Sequence, residues 1–223
     1  MTKGKGKNGE SRVIGPFRGR YRWLSNFFEA PTSYDGTVYP TTEHAYQASK
    51  TELPHQRKLI LACNTPGQAK RSGRLVTTRS GWMKMRVDVM HEIVTDKFER
   101  NPELAVQLIR TGQRELVEYN RWHDNYWGHC TCNDCIEEMH FNHLGEVLMQ
   151  VRGELWQRCA DGSLMLAYLI KPGDILAHPE HGQVTLQGYS DNMIVDCRVE
   201  MSNGEVTYFK MADLIFVRGA DNG

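Results

Sequence analysis

Residues 34–50 read YDGTVYPTTEHAYQASK, and this stretch predicts a tight hairpin followed directly by a helix. The pair Asp35-Gly36 lies between residues that favour β-strands, which is a strong signal for a hairpin turn. Thr41 or Thr42 can cap the next helix through a side-chain oxygen. The sequence therefore predicts that a strand pair delivers the chain into a capped helix.

The helix that begins here places several chemically different groups on one face. Glu43, Tyr46 or Gln47, and Lys50 recur at helical spacing, so they form a single stripe. A carboxylate, an aromatic ring or amide, and an amine can form the wall of a polar pocket. The same stripe also fits a solvated helix with an acid in its first turn and a base at its end. Spacing leaves both interpretations open.

The bulk composition limits the class of protein. The chain has 223 residues, 27 basic and 27 acidic side chains and a formal net charge of +0. A neutral chain has no overall field that would attract nucleic acid or membranes, so such binding would need a local patch. The sequence shows no apolar run of membrane-spanning length and no secretory signal, so we expect no membrane partner and a cytoplasmic protein with reduced cysteines. We expect no cofactor.

The pattern predicts an α+β protein in three parts. Residues 1–12 read as a mobile basic tail, and residues 13–157 as a mostly helical domain with a small β-hairpin or sheet. Residues 158–223 contain short β-type runs separated by turn signals, which predict a small all-β barrel of the SH3-like or Tudor-like kind. These runs are 164–170, 174–177, 183–187, 193–199, 206–211 and 214–217. Such a barrel can contact a peptide or nucleic acid.

Helices are predicted within the middle part from capping residues and apolar stripes. The opening helix is expected to end near Leu53-Pro54, because the residue before proline is displaced from the α region. Further helices are predicted over 55–63, from Pro66 to Gly73, over 83–99, from Pro102 to Gly112, and from Asn142 to about Leu155.

An aromatic loop follows a predicted strand at residues 115–119. Residues 120–129 read NRWHDNYWGH, and loops that carry so many large rings usually line a pocket or plug a core. Asp124 is the one acid in this loop, and burial among rings would raise its pKa and suit it to acid or base chemistry. The alternative is an aspartate that only hydrogen-bonds the amides of its own loop.

Three cysteines follow this loop at Cys130, Cys132 and Cys135. Together with the nearby histidines 129, 140 and 143 they can form a tetrahedral zinc site. A single Cys-x-Cys-x-x-Cys group is a weaker signal than two separated Cys-x-x-Cys pairs, and buried reduced thiols are the alternative.

The middle part of the chain resembles a known family, NADAR, also called YbiA-like. The resemblance covers about residues 17–155 in order and spacing. It is carried by Leu24-Ser25-Asn26-Phe27, Asp35-Gly36, Tyr39-Pro40-Thr41-Thr42-Glu43-His44, Gln47-Ala48, Lys50, Gly73-Arg74, Trp82, Val89-Met90, Lys97-Phe98, Leu116-Val117-Glu118, Asp124, Tyr126-Trp127-Gly128, Asn142-His143-Leu144-Gly145, Leu148-Met149 and Val151-Arg152.

The resemblance implies an N-glycosidase that cleaves a bond between ribose C1 and a nitrogen. Two kinds of activity are known in the family: removal of ADP-ribose from guanine bases in nucleic acid, and hydrolysis of phosphoribosylated intermediates of riboflavin synthesis. It implies catalytic roles for Glu43, Lys50 and Asp124, with the lysine attacking C1 to form a Schiff base.

Binding residues for such a substrate are expected around these three. The candidates are Arg22, Trp23, Asn26, Phe27, Tyr46, Gln47, Arg74, Trp82, Trp127 and Gly128, with Lys70 as a further phosphate contact. The basic tail and the appended barrel favour a macromolecular substrate, ADP-ribosylated nucleic acid, over a small phosphoribosyl compound. A non-catalytic module that reads ADP-ribose or nucleic acid is the alternative of another class.

Overall fold

A computed structural model describes residues 12–135, 137–160, 170–189, 196–210 and 213–218. The chain divides into two compact units, one made of residues up to Asn101 together with Glu115–Val151, the other of Pro102–Arg114 together with residues from Arg152 onward. The predicted basic tail lies outside the described residues except for Arg12. No helix among the described residues has both the length and the apolar character needed to cross a bilayer.

The described residues form a mixed α/β structure. The helices are α1 (Thr42–Ser49), α2 (Pro54–Leu61), α3 (Pro66–Ser72), α4 (Trp82–Arg100), α5 (Pro102–Ile109) and α6 (His143–Ala160). The strands are β1 (Val13–Ile14), β2 (Glu29–Tyr34), β3 (Thr37–Thr41), β4 (Glu115–Leu116), β5 (Tyr119–Asn120), β6 (His129–Cys130), β7 (Ile175–His178), β8 (Gly182–Tyr189), β9 (Asp196–Met201), β10 (Val206–Lys210) and β11 (Ile215–Arg218).

The predicted hairpin is confirmed. Strands β2 and β3 are antiparallel, and Tyr34 pairs with Thr37 across a two-residue turn. Asp35 and Gly36 have φ angles of 47° and 72°, the left-handed conformation that both central residues of a type I′ turn require. The turn chemistry of these two residues therefore sets the register of the strand pair.

Helix α1 lies at the centre of the first unit. The Thr41 hydroxyl accepts a hydrogen bond from the His44 amide at 3.3 Å, which confirms the predicted cap. All eight residues of the helix are buried, and it packs against β2, β3, α2, α3 and α4. The helix ends at Ser49, earlier than expected, and α2 begins at Pro54. Its polar stripe is thus enclosed by protein, which excludes the solvated-face interpretation.

Helix α4 confirms the helix predicted over residues 83–99. Met83, near its start, is 67% exposed and lies outside the buried face. The preceding Trp82 is buried instead and packs against Tyr46 with ring centroids 5.3 Å apart. Met90, Ile93 and Phe98 and their buried neighbours form the core face farther along the helix.

A lysine is also buried on this helix. The Lys97 ammonium donates to the backbone carbonyls of Trp23 (2.7 Å) and Ser25 (3.1 Å). Burial lowers the pKa of Lys97 to about 7. The ring of Trp23 packs edge-on against Phe98. Together these contacts hold the segment that leads into Asn26 and Phe27.

The second unit contains a five-stranded antiparallel sheet in the order β10-β9-β8-β7-β11. These strands match the described parts of the predicted β-type runs; residues 164–169, 193–195 and 211 of those runs lie outside the described residues. Arg110 donates to the fully buried Asp174 carboxylate at 2.9 Å, and the Trp156 indole donates to the carbonyl of Leu214 at 2.7 Å. Closure of the sheet into an SH3-like or Tudor-like barrel stays a prediction.

Candidate active site

A cavity of about 190 Å³ opens in the first unit. Helix α1 contributes Glu43, Tyr46 and Gln47 to one wall, and the aromatic loop after β5 contributes the opposite wall. The lining among the described residues comprises Ser25, Asn26, Phe27, Glu43, Tyr46, Gln47, Lys70, Met90, Glu118, Trp122, Asp124, Trp127 and Leu144. The structure therefore brings two of the three predicted catalytic residues, Glu43 and Asp124, into one cavity.

Glu43 is the most enclosed carboxylate of this cavity. Its side chain is 5% exposed, and its Oε1 accepts a hydrogen bond from the Gln47 amide at 2.7 Å. Burial raises the pKa of Glu43, and the Asp124 charge adds to this, while Gln47, Lys70 and Lys50 act in the opposite direction. A carboxyl group in this environment holds its proton to a higher pH than an exposed glutamate does, which suits it to acid or base chemistry.

Gln47 is positioned by a glycine. A Cβ atom at Gly73 would lie 2.0 Å from Gln47 Oε1, so only glycine allows α3 to approach the glutamine this closely. Oε1 of Gln47 is buried and has no hydrogen-bond partner among the described residues. The amide is thus fixed with its donor on Glu43 and its oxygen packed against Gly73.

Lys50 lies at the C-terminal end of α1, outside the lining, with its ammonium 5.5 Å from the ring centre of Tyr46. Burial lowers the pKa of Lys50, and the positive charges of Lys70 and Arg74 lower it further, whereas Glu43 raises it. Lys70 lines the cavity directly, and its ammonium lies 5.8 Å from the Phe27 ring. Both lysines lie close enough to Glu43 for their charges to lower its pKa.

Asp124 is held by a hydrogen-bonded loop. The buried Asn120 donates to the Asp124 carbonyl at 2.7 Å and accepts from the Asp124 amide at 3.3 Å. Oδ1 of Asp124 accepts from the Trp127 amide at 2.8 Å. Asp124 therefore hydrogen-bonds an amide of its own loop, as the alternative interpretation of this residue expected. It also lines the cavity.

Glu118 is a third carboxylate in the cavity, and the sequence did not single it out as a site residue. Burial raises the pKa of Glu118 to about 7; Arg18 and the Phe17 backbone lower it, and Asp124 raises it. Its Oε2 is buried and lacks a hydrogen-bond partner among the described residues. No signal in the sequence separates Glu118 from an ordinary acidic residue that follows a strand, and only its contacts in the folded chain identify it.

The aromatic side chains divide into an inner group and an outer group. Tyr46 contacts Trp82 and Trp127 with ring centroids 5.3 and 5.4 Å apart, and of these three packed rings Tyr46 and Trp127 line the cavity. Phe27 and Trp122 are 38% and 52% exposed, and both line the cavity. The Arg18 guanidinium lies 5.4 Å from the Trp122 ring. Trp122 was not predicted as a site residue.

The remaining predicted binding residues lie outside the cavity lining. Arg22 and Arg74 are exposed, and Trp23 and Trp82 are buried in packing contacts. Gly128 is buried, and a Cβ there would lie 2.3 Å from the Glu118 carbonyl, so it permits close approach of the loop to the Glu118 backbone.

The three predicted cysteine ligands converge beside this loop. Sγ of Cys130 lies 3.3 Å from Sγ of Cys132, and Nδ1 of His123 lies 3.4 Å from Sγ of Cys132 and 3.2 Å from Sγ of Cys135. All four atoms lie within 4.8 Å of one another.

The histidines named from the sequence as possible partners of these cysteines make other contacts. His129 stacks on His140 with ring centroids 3.9 Å apart, and His143 bonds Glu146. The histidine that joins the cysteines is His123.

The fold and the cavity define a mixed α/β domain with acids, lysines and aromatic rings around one pocket. The NADAR domain family matches residues 16–156. The chain belongs to the NADAR family, which confirms the resemblance seen in the sequence.

Characterised relatives share this domain. The chain is 34% identical over 137 residues to the N-glycosidase YbiA of Escherichia coli, a match that covers 60% of this chain and 82% of that protein. It is 35% identical over 140 residues to an N-glycosidase of Nostoc punctiforme, covering 60% and 86% of the two chains. It is 37% identical over 135 residues to a riboflavin biosynthesis protein of Vibrio vulnificus, covering 60% of this chain but 35% of that protein.

A solved structure supports the same fold. The NMR structure of E. coli YbiA aligns with a TM-score of 0.56 and 32% sequence identity, covering 64% of this chain and 83% of YbiA. The YbiA-like part of the predicted fold class is therefore confirmed.

Proposed function

We propose that this chain is an N-glycosidase that removes ADP-ribose from guanine bases of DNA or RNA. The observation that carries the glycosidase chemistry is the convergence of Glu43, Glu118 and Asp124 in one cavity beside Lys50 and Lys70. An N-glycosidic bond breaks through a ribose that carries positive charge at C1, and nearby carboxylates stabilise that charge. The relatives named N-glycosidases support this reaction type.

Glu43 is the proposed proton donor to the departing base. Because burial raises its pKa, a protonated fraction persists at a pH where an exposed glutamate is ionised. When the bond between C1 and the base nitrogen breaks, the nitrogen takes the Glu43 proton and the bonding electrons. Asp124 and Glu118 face the resulting cation across the cavity.

Lys50 is the proposed nucleophile. A lysine attacks only as the neutral amine, and burial favours that form here. The amine adds to C1, the ribose ring opens to give a protonated Schiff base, and water then adds to C1 and releases both ADP-ribose and the lysine amine. The ionised Glu43 accepts a proton from that water, which restores the starting state.

The cavity size suits a sugar better than a complete nucleotide. A volume of about 190 Å³ is below the roughly 300–1,000 Å³ typical of sites for drug-sized ligands. The carboxylates of Asp124 and Glu118, which line the cavity, would accept hydrogen bonds from ribose hydroxyls or base N–H groups. A base or adenine extending from the cavity would meet the exposed rings of Phe27 and Trp122, each next to a cation.

A small phosphoribosylated riboflavin intermediate is the second candidate substrate. The match to a riboflavin biosynthesis protein favours it, as does the limited volume of the cavity. The exposed rings at the rim favour the larger ADP-ribosyl substrate, because they offer surface that a compound confined to the cavity does not use.

The deciding experiment compares the two substrates directly. We expect incubation with an ADP-ribosylated guanine oligonucleotide to release ADP-ribose, measured by mass spectrometry, and the phosphoribosylated pyrimidine precursor of riboflavin to be cleaved more slowly. Faster cleavage of the precursor would establish the second candidate. Cleavage of neither would overturn the glycosidase assignment in favour of a binding module.

Lysine variants test the mechanism. Borohydride should trap a covalent adduct with the wild-type protein, and Lys50→Ala should abolish both the adduct and the release of ADP-ribose. Lys70→Ala should still form the adduct, and Lys58→Ala, which removes an exposed lysine on α2, should behave as wild type. An adduct lost in Lys70→Ala but kept in Lys50→Ala would reassign the nucleophile to Lys70.

A further inference from the structure

We propose that His123, Cys130, Cys132 and Cys135 bind one structural zinc ion that fixes the loop forming one wall of the cavity. The donor atoms of these four side chains lie within 4.8 Å of one another, although the residues are spread over positions 123–135. The site is distinct from the cavity and takes part in no step of the proposed reaction.

The spacing of the donor atoms fits a tetrahedral metal. With Zn–S bonds of about 2.3 Å and Zn–N bonds of about 2.0 Å, a tetrahedron has edges of roughly 3.5–3.8 Å. The three separations of 3.2, 3.3 and 3.4 Å among these atoms approach this range. The cluster cysteines are not joined by disulfides. The group is thus compact enough to surround one ion after small side-chain movements.

The chemistry of the donor set selects zinc and a structural role. Three thiolates and one imidazole in a tetrahedron are a common ligand set for structural zinc. All four positions are filled by protein atoms, so none remains for a water or a substrate. A catalytic zinc site would need an open position.

The backbone around the cluster is arranged to present these ligands. His123 has a φ angle of 62°, a left-handed conformation that residues other than glycine adopt at a cost. The histidine is exposed, yet its Nδ1 faces the thiols rather than solvent. Cys130 lies in β6, where it pairs with Asn120 of β5, and its amide donates to Asn125 Oδ1 at 3.0 Å.

The metal would join the two ends of the aromatic loop. His123 lies between Trp122 and Asp124, which both line the cavity, and Cys130 follows Trp127 after two residues. Binding of one ion to both places closes the loop and restricts the positions that Trp122, Asp124 and Trp127 can take. The effect on catalysis rests on the proposed function, whereas the metal site does not.

Metal analysis of the whole chain tests the site. After expression with added zinc and purification without chelators, we expect one zinc per chain by mass spectrometry of the elements. Cys132→Ser and His123→Ala should lose most of this zinc. Cys63→Ser, a matched substitution outside the cluster, should keep it, and His123→Cys should also keep it by supplying a thiolate in place of the imidazole.

Cobalt provides an independent readout when a variant folds poorly. Wild-type protein stripped of zinc and titrated with Co²⁺ should show the intense visible bands of tetrahedral cobalt and a thiolate-to-metal charge-transfer band, both lost in His123→Ala. Near-zero zinc in the wild type together with no such bands would overturn the site. Equal zinc in wild type and both ligand variants would place the metal elsewhere.

The consequence for the loop is measured separately. Removing zinc from the wild type with a chelator should lower the thermal unfolding midpoint of the first unit and slow the release of ADP-ribose, and adding zinc back should restore both. A stripped protein with unchanged unfolding and unchanged activity would refute the role in fixing the loop. A protein that binds zinc but cleaves no substrate would leave the metal site standing and refute the glycosidase assignment.

Discussion

Replacing Lys97 by methionine should change how the stability of the chain depends on pH. Lys97 is 1% exposed, and burial lowers its pKa from 10.5 to about 7. Between these values the unfolded chain binds a proton at this lysine and the folded chain does not. Because unfolding then takes up a proton, the free energy of unfolding of the wild type rises with pH in this window.

The size of this effect follows from the two pKa values. A fully effective difference of one proton changes the free energy of unfolding by about 1.4 kcal/mol per pH unit. Between pH 8 and pH 10 the wild type should therefore gain about 3 kcal/mol relative to Lys97→Met, which has no titrating group at this position. Below about pH 7 both states hold the proton, and the difference between the two proteins should be constant.

Urea unfolding under reducing conditions measures this difference. Circular dichroism follows the helices, and fluorescence reports mainly on the first unit, which holds four of the five tryptophans. Lys84→Met is the matched control, because it removes an exposed lysine from the same helix and should leave the pH dependence unchanged. A constant difference between wild type and Lys97→Met from pH 8 to pH 10 would show that the buried group remains charged, and would refute the reasoning.

Three further predictions address the cavity and the hairpin. Gly73→Ala should destabilise the chain by about 1–3 kcal/mol in urea unfolding, because the new Cβ displaces Gln47. Gly67→Ala, whose Cβ meets nothing closer than 3.8 Å, should not destabilise it. Equal effects of the two substitutions would contradict the close packing of Gly73 on Gln47. Burial raises the pKa of Glu118 from 4.5 to about 7, so the free energy of unfolding of the wild type should fall as pH rises through that interval. Glu118→Gln should remove this fall, and an unchanged pH dependence in that variant would show that Glu118 does not have a raised pKa. Thr41→Ala should cost about 1 kcal/mol in thermal or urea unfolding through loss of the helix cap, and a neutral result would mean that the cap bond does not stabilise α1.

Local rules predicted the parts of the fold whose geometry depends on a few adjacent residues. The Asp35-Gly36 turn and the Thr41 cap are correct because left-handed φ angles and exposed helix amides restrict the residues that can occupy those positions. Thr65 caps α3 in the same way, since its side chain accepts from the Gln68 amide at 3.2 Å. These features need no knowledge of distant contacts.

Features that depend on contacts between distant residues could not be predicted from the sequence. Lys97 reads as a surface residue near a helix end, and its burial follows from carbonyls more than 70 positions away. Glu118 acquires its raised pKa from burial, next to Arg18 and Asp124. His129 is adjacent to the cysteines but pairs with Tyr119 in the parallel strands β5 and β6, so His123 meets the thiols instead.

Two residues that line the cavity each bury an acceptor atom that has no partner in the part of the chain the structure describes, and such atoms place stability and function in opposition. An unpaired buried acceptor weakens a fold by about 1–3 kcal/mol, and Gln47 Oε1 and Glu118 Oε2 are both of this kind. An apolar residue of similar volume at Glu118 should raise the free energy of unfolding of the protein and weaken the binding of a polar ligand in its cavity. Selection for thermal stability alone would therefore remove these groups. A chain that retains them has a lower free energy of unfolding than its fold would allow.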